Sequence, residues 1–218
     1  MTTLIVADDH PLFRTALRDV TQQAMPNASL VEASSFAELM SVLGRHADDT
    51  AMVLLDLHMP GAHGFSALLF LVAHYPDLPV LMISANEQEE IIRRAADHGA
   101  AGFISKSADT ETIAEAIAAV VRGDLRFPDW VDLSRPGVTD EESGVADALS
   151  ELTPQQFRVA SMISQGLLNK QIAYELDVTE ATVKAHVTEI FRKLGVHSRT
   201  QAALKLGSLD LPAPGDVS

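Results

Sequence analysis

The run Met52-Val53-Leu54-Leu55-Asp56 does most to limit what this chain can fold into. An unbroken apolar stretch of this length, stopped shortly afterwards by Pro60-Gly61, suits a strand covered on both faces. Such strands belong to parallel sheets sandwiched between helices. The run also ends on a carboxylate, and open α/β sheets carry their chemistry at the carboxyl ends of their strands. An isolated Asp in that place more commonly caps the next helix. The residues that share its rim reverse that reading.

Apolar runs and helical patterns alternate from the start of the chain to about residue 122. Strands are expected at Leu4–Ala7, Leu30–Ala33, Met52–Leu55, Val80–Ile83 and Gly102–Ile104, and helices at Leu12–Gln23, Phe36–Arg45, Gly64–His74, Glu87–His98 and Thr110–Arg122. Asn86 with Glu89 has the form of a helix start, and Gly99 that of a stop. Five strand–helix units with short loops predict a doubly wound, five-stranded parallel sheet of the flavodoxin-like kind.

The strand ends then bring polar residues to one rim: Asp8 and Asp9, Asp56, Ser84 and Lys106. Grouped carboxylates repel one another and call for a cation. Oxygen donors, with no cysteine in the chain, suit a hard ion such as Mg²⁺. A carboxylate nucleophile, a divalent ion, an ammonium and a hydroxyl form a set suited to phosphoryl transfer. His10, His58 and His63 lie near the same rim, but the carboxylates already account for the ion.

The net charge of −14 argues at first against nucleic acid as a partner. Its distribution argues otherwise. Residues 1–130 hold 8 Lys+Arg against 18 Asp+Glu, whereas residues 150–208 hold 7 against 5. Two such surfaces imply two domains, and the boundaries read as 1–122, a linker at 123–149, a second domain at 150–208 and a tail at 209–218. The linker is acidic and broken by Pro128, Pro136 and Gly137. No basic leader or membrane-length apolar run is visible, so a cytoplasmic protein is expected.

The second domain reads as four helices. Thr153-Pro154-Gln155-Gln156 and Ser198-Arg199-Thr200-Gln201 are capping boxes, and Thr179 caps the longest helix. A short helix from Asn169, a turn at Asp177-Val178 and a longer helix to Leu194 make a helix-turn-helix. On the longer helix Val183, Val187, Ile190 and Leu194 form the apolar stripe, and Lys184, Ala185, Thr188 and Arg192 lie elsewhere. That second face suits a major groove, and it also suits the solvated side of a small helical bundle.

Two resemblances add to this reading. Asp8-Asp9, Leu55-Asp56-Leu57-His58-Met59-Pro60-Gly61, Ser84-Ala85 and Gly99-Ala100-Ala101-Gly102-Phe103-Ile104-Ser105-Lys106 resemble the two-component receiver domain. The likeness implies that Asp56 accepts a phosphoryl group from a sensor histidine kinase. It implies that Asp9 and Asp56 ligate Mg²⁺, with Asp8 acting through water and the backbone carbonyl of His58 completing the set. Lys106 would pair with the phosphoryl oxygens, Ser84 would swing towards them, and Phe103 would turn inward with it. Phe103 stands where Tyr is frequent in the family, and Ser107 where Pro is frequent.

Leu152-Thr153-Pro154, Gly166-Leu167-Leu168-Asn169-Lys170, Thr182-Val183-Lys184-Ala185-His186-Val187 and Lys193-Leu194-Gly195-Val196 resemble the LuxR-type, or NarL-type, DNA-binding domain. This implies base-facing Lys184, Ala185 and Thr188. It implies backbone contacts from Lys170, Thr182, His186 and Lys193, with Thr179 near the helix start. Together the two likenesses imply a response regulator of transcription, a homodimer when phosphorylated or bound to DNA, catalysing nothing beyond its own phosphorylation and dephosphorylation. An aspartyl-phosphate enzyme acting on a small substrate is the rival, and no cap domain or substrate loop for it is visible.

Overall fold

The computed structural model describes residues 2–209, so the expected tail lies, from residue 210 onward, outside the described residues. The chain divides after Val138 into two compact units. In the first, β1 (Thr3–Ala7), β2 (Ser29–Ala33), β3 (Thr50–Asp56), β4 (Val80–Ser84) and β5 (Gly102–Ser105) form one parallel sheet in the order β2-β1-β3-β4-β5. Between and after them run α1 (Pro11–Ala24), α2 (Phe36–His46), α3 (Ser66–His74), α4 (Glu89–Asp97) and α5 (Thr110–Val121), with a 3-10 turn at Ala47–Asp49.

Burial explains the strands. Every residue of β1 and β4 is buried, as are the last five of β3, which is what an all-apolar strand requires. On one face Leu4, Val6, Leu54, Leu81, Ile83 and Ile104 pack with Leu17 and Val20 of α1 and Ile113 and Ile117 of α5. Each such side chain stabilises the fold by roughly 1.5–3 kcal/mol relative to exposure. The opposite side of the unit holds the edge-on pair Phe36 and Phe70, 5.4 Å between centroids. Gly61, at φ +86°, lets the chain turn back after Pro60, whose carbonyl accepts from the amide of Phe36.

Two local expectations are corrected. α4 is capped by Gln88 and begins at Glu89; Asn86 instead accepts a hydrogen bond from the Gln88 amide, making a turn before the helix. The stretch 123–149 is not a free linker either. Residues 124–138 lie on the first unit, and Asp140–Ser150 forms a helix of the second, α6. Thr139 caps α6 by accepting from the Glu142 amide, and Asp140, Glu141 and Glu142 suit the positive end of its dipole. Val145, Ala148 and Leu149 give it a buried stripe that the acidic composition concealed.

The second unit is all-helical: α6, α7 (Pro154–Ser164), α8 (Asn169–Glu175), α9 (Glu180–Leu194) and α10 (Arg199–Gly207). The capping box at Thr153 and Gln156 and the cap at Thr179 form as expected; at Ser198 only the hydroxyl half of the expected box forms, and the Gln201 side chain accepts instead from the His197 amide. Leu152, Phe157, Ile163, Ile172, Val183, Ile190 and Leu194 are buried among these helices. Among the described residues no helix is long and apolar enough to cross a membrane.

Candidate functional site

Parallel strands send all their carboxyl ends to one edge, so the residues that follow them converge. Asp8 directly follows β1, Asp56 ends β3, Ser84 ends β4 and Lys106 follows β5. Lys106 Nζ, reaching across β4 from the end of β5, lies 2.7 Å from Asp8 Oδ2 and 2.8 Å from Asp56 Oδ2, bridging the ends of the adjacent strands β1 and β3. Both carboxylate side chains are 2% exposed, and the lysine side chain 15%. Burial pushes the Asp56 carboxyl up from its ordinary range; the hydrogen bond and charge of Lys106 and the His58 backbone amide oppose this, while the charge of Asp8 adds to it. Burial works to lower the Lys106 ammonium, but its bonds to Asp56 and Asp8 outweigh that and hold it raised.

Asp8, Asp9, His10 and Asp56 offer ligand atoms that all lie within 4.8 Å of one another. Three carboxylates, two of them buried, are a donor set that fits a hard divalent cation. Ser84 is fully buried; its hydroxyl accepts from the Asn86 amide at 3.0 Å, and its carbonyl accepts from the Lys106 amide at 2.8 Å. Phe103 is buried on β5, and Ser107 follows Lys106 through an ordinary trans peptide.

Four neighbours add to this site: His10, placed near the rim by the sequence but given no role there, and three that the sequence did not single out for it. His10 Nδ1 lies 2.7 Å from Asp9 Oδ1 and 3.2 Å from Asp8 Oδ1. Phe13 places its ring centroid 5.2 Å from Lys106 Nζ, a cation–π contact. Arg14 donates to the Asp8 carbonyl at 2.6 Å and to Glu32 at 2.9 Å, tying the end of β1 to β2. The spacing 10, 13, 14 across the start of a Pro-initiated helix is the signal that could have found them. Glu87 is the fourth: it accepts from Ser105 and, at 2.8 Å, from Ser107, and these bonds hold its carboxyl below the usual range.

In the second unit α8, a tight turn with Asp177 at φ +52°, and α9 make the helix-turn-helix. Lys184, Ala185 and Thr188 are exposed on α9, away from buried Val183, Ile190 and Leu194. Lys170, Thr179 and Thr182 are exposed as well, and the Thr179 hydroxyl accepts from the Thr182 amide at 3.1 Å. His186 and Lys193 are half-buried. Lys193 Nζ donates to the Glu151 carbonyl at 2.6 Å and to Gln156 at 2.8 Å, so it also knits α9 to the start of α7. Arg199 does similar work at the start of α8, bonding Asn169 and the Leu167 carbonyl.

A buried aspartate held by lysine on a receiver-like sheet, joined to a helix-turn-helix, defines a phosphorylatable regulator of transcription. Residues 4–118 match the model of the response regulator receiver domain, and residues 150–206 that of bacterial regulatory proteins of the luxR family. Relatives span the whole chain. The glycerol metabolism activator of Pseudomonas putida is 38% identical over 98% of both chains. The nitrate/nitrite response regulator protein NarL of Escherichia coli is 30% identical over 93% of both, and the DNA-binding transcriptional activator DevR/DosR of Mycobacterium tuberculosis 32% identical over 94% of this chain and 93% of its own. Among solved structures, that of two RcsB dimers bound to two parallel DNAs aligns at a TM-score of 0.55 and 23% identity, covering 95% of this chain and 98% of that one, a likeness of fold. The chain belongs to the two-component response regulators that join a receiver to a LuxR-type DNA-binding domain, a family of transcription regulators rather than enzymes.

Proposed function

We propose that Asp56 is the phosphoacceptor and that a sensor histidine kinase supplies the phosphoryl group. A carboxylate oxygen of Asp56 forms the new bond to phosphorus as the bond to the kinase imidazole nitrogen breaks, giving an acyl phosphate. The observation that carries this is the bridge from Lys106 Nζ to both Asp8 and Asp56. It opposes the upward push of burial on the Asp56 carboxyl and holds a cation where charge gathers on the transferred group.

The ion we infer is Mg²⁺, held by Asp9 and Asp56, by Asp8 through water and by the backbone carbonyl of His58. Bound there, it would neutralise the oxygens of the phosphoryl group. Lys106 follows those oxygens, the Ser84 hydroxyl donates to them, and Phe103 moves with Ser84. In the second unit Lys184, Ala185 and Thr188 face the bases, and Lys170, Thr179, Thr182, His186 and Lys193 lie along the backbone. The acting form is a homodimer on paired half-sites, working in the cytoplasm. The dimer draws support from RcsB, which its solved structures describe as dimers bound to DNA.

Intact-mass measurement after incubation with acetyl phosphate and Mg²⁺ tests the assignment. The wild-type chain should gain one phosphoryl group and Asp56→Asn none, since an amide is not a usable nucleophile. Labelling of Asp56→Asn at the wild-type rate would refute it.

A further inference from the structure

Residues 124–138 follow α5 but do not leave the first unit. Arg126 lies beside Gly102 as a parallel bridge on the open edge of β5. Its amide donates to the Ala101 carbonyl at 2.9 Å, and its carbonyl accepts from the Phe103 amide at 2.8 Å. The approach depends on glycine: a Cβ on Gly102 would lie 2.4 Å from the Arg126 carbonyl oxygen. Phe127, Pro128 and Trp130 then share the lining of a cavity of about 260 Å³ with Ile92 of α4 and Phe103 of β5. At the far end Asp97, the last residue of α4, accepts from the amides of Gly137 at 2.6 Å and Val138 at 3.2 Å. Gly137 is pressed so close to α4 that a Cβ there would lie 2.4 Å from the Arg94 nitrogen. The segment is fastened to β5 at one end and to α4 at the other. Its far end is continuous with Thr139, the N-cap of α6.

The fastening at β5 is wired to the acidic rim. Lys106 holds Asp56 at 2.8 Å, and its amide holds the Ser84 carbonyl. Phe103, three residues earlier and near the start of β5, carries the bond to Arg126. The segment is bonded at the start of β5, to Ala101 and Phe103, and Lys106 follows the strand's other end, so a shift of Lys106 toward a phosphoryl group on Asp56 would have to pass along the strand to reach it. Between its two fastenings the segment is loosely held: a cavity underlies it and Trp130 is 59% exposed, with Val131 the buried apolar side chain. Few buried apolar contacts and solvent-accessible backbone bonds mark an element that opens locally.

We propose that residues 124–138 are a strap that covers the α4–β5 face while Asp56 is unmodified and comes away from it when Asp56 carries a phosphoryl group. The strap thereby passes the state of the acidic rim to the start of the DNA-binding unit. This rests on the reading of Asp56 as phosphoacceptor, and the test separates the two ideas.

Hydrogen exchange at the amides of Phe103, Arg126, Gly137 and Val138 is followed in the full-length chain, with intact mass counting phosphoryl groups. Acetyl phosphate with Mg²⁺ should speed exchange at these amides by about tenfold or more, and Asp56→Asn should be unaltered. A fully phosphorylated chain with unchanged exchange overturns the strap. If no phosphoryl group is taken up, the phosphoacceptor reading has failed, and Asp97→Ala judges the strap alone. This exposed substitution removes the acceptor for Gly137 and Val138 without touching the rim. Without phosphodonor it should speed exchange at these two amides and tighten binding several-fold to a duplex that the full-length protein selects from a random-sequence pool. Unchanged exchange, or faster exchange with unchanged duplex affinity, overturns the strap as a control element.

Discussion

Replacing Lys106 by Met keeps most of the side-chain volume and deletes the one ammonium that bridges Asp8 and Asp56. Both carboxylates are then left buried without it, and breaking a buried pair from one side costs about 3–5 kcal/mol. The lysine side chain retains 15% exposure, so water reaches part of the site and the low end, about 3 kcal/mol, is expected. With a urea dependence of about 2 kcal/mol per molar, the midpoint should fall by about 1.5 M. Trp130 is the single tryptophan and lies in the first unit, so its emission reports that unit's unfolding. The experiment is run with a chelator present. The sign with pH follows from Asp56, whose carboxyl is already raised by burial and loses the bond that opposes this. The folded variant therefore holds a proton at pH values where the unfolded chain has released it, and its stability falls as pH rises through that window. The loss should be larger near pH 8 than near pH 5. A midpoint shift below about 0.3 M, or the same shift at both pH values, would refute the account of the bridge.

Mg²⁺ at about a hundred times its dissociation constant should stabilise the first unit by about 2.7 kcal/mol, and Asp9→Ala should abolish the gain, both read from the Trp130 transition. Lys184→Ala should leave phosphorylation intact and weaken duplex binding. A phosphate contact would reduce the log–log salt slope by about one for all sequences, whereas a guanine contact would relax one position, as titrations at several salt concentrations would distinguish. Thr153→Ala removes the hydroxyl half of the α7 capping box, leaving the backbone amide to donate to Gln156, and should cost the second unit about 1 kcal/mol, measured as faster amide exchange along α7.

The sheet and its rim were legible because apolar strands must be buried and parallel strands must end together. Asp8, Asp56 and Lys106 could therefore be brought to one place from their positions in the pattern alone. Phe13 and Arg14 escaped, and His10 was placed near the rim without a role, because their parts depend on how the first turn of α1 faces the rim, a rotation that spacing suggests and only packing fixes. The stretch 123–149 escaped for a different reason. Composition reports solubility, and an acidic segment containing Pro136, Gly137 and Gly144 has the composition of a tether. What holds its first half to the first unit is backbone bonding of Arg126 to β5 and the Asp97 carboxylate of α4 accepting from the Gly137 amide, neither of which the segment's own composition reveals. On α9, Lys193 was read as a backbone contact, and its bonds to Glu151 and Gln156 depend on a neighbouring helix that the pattern of α9 alone does not reveal.

The pairing of Arg126 with the edge of β5 also bears on how the protein is made. A nascent chain that has emerged only as far as α5 has all five strands, yet the amide of Phe103 still lacks its acceptor. An uncovered edge strand invites pairing with another chain, and crowding of nascent chains would favour it. The receiver is therefore complete at Val138 and not at the end of its last helix. A fragment cut at residue 122 should fold but self-associate, whereas one cut at residue 138 should stay monomeric at the same concentration, a difference that sedimentation would register.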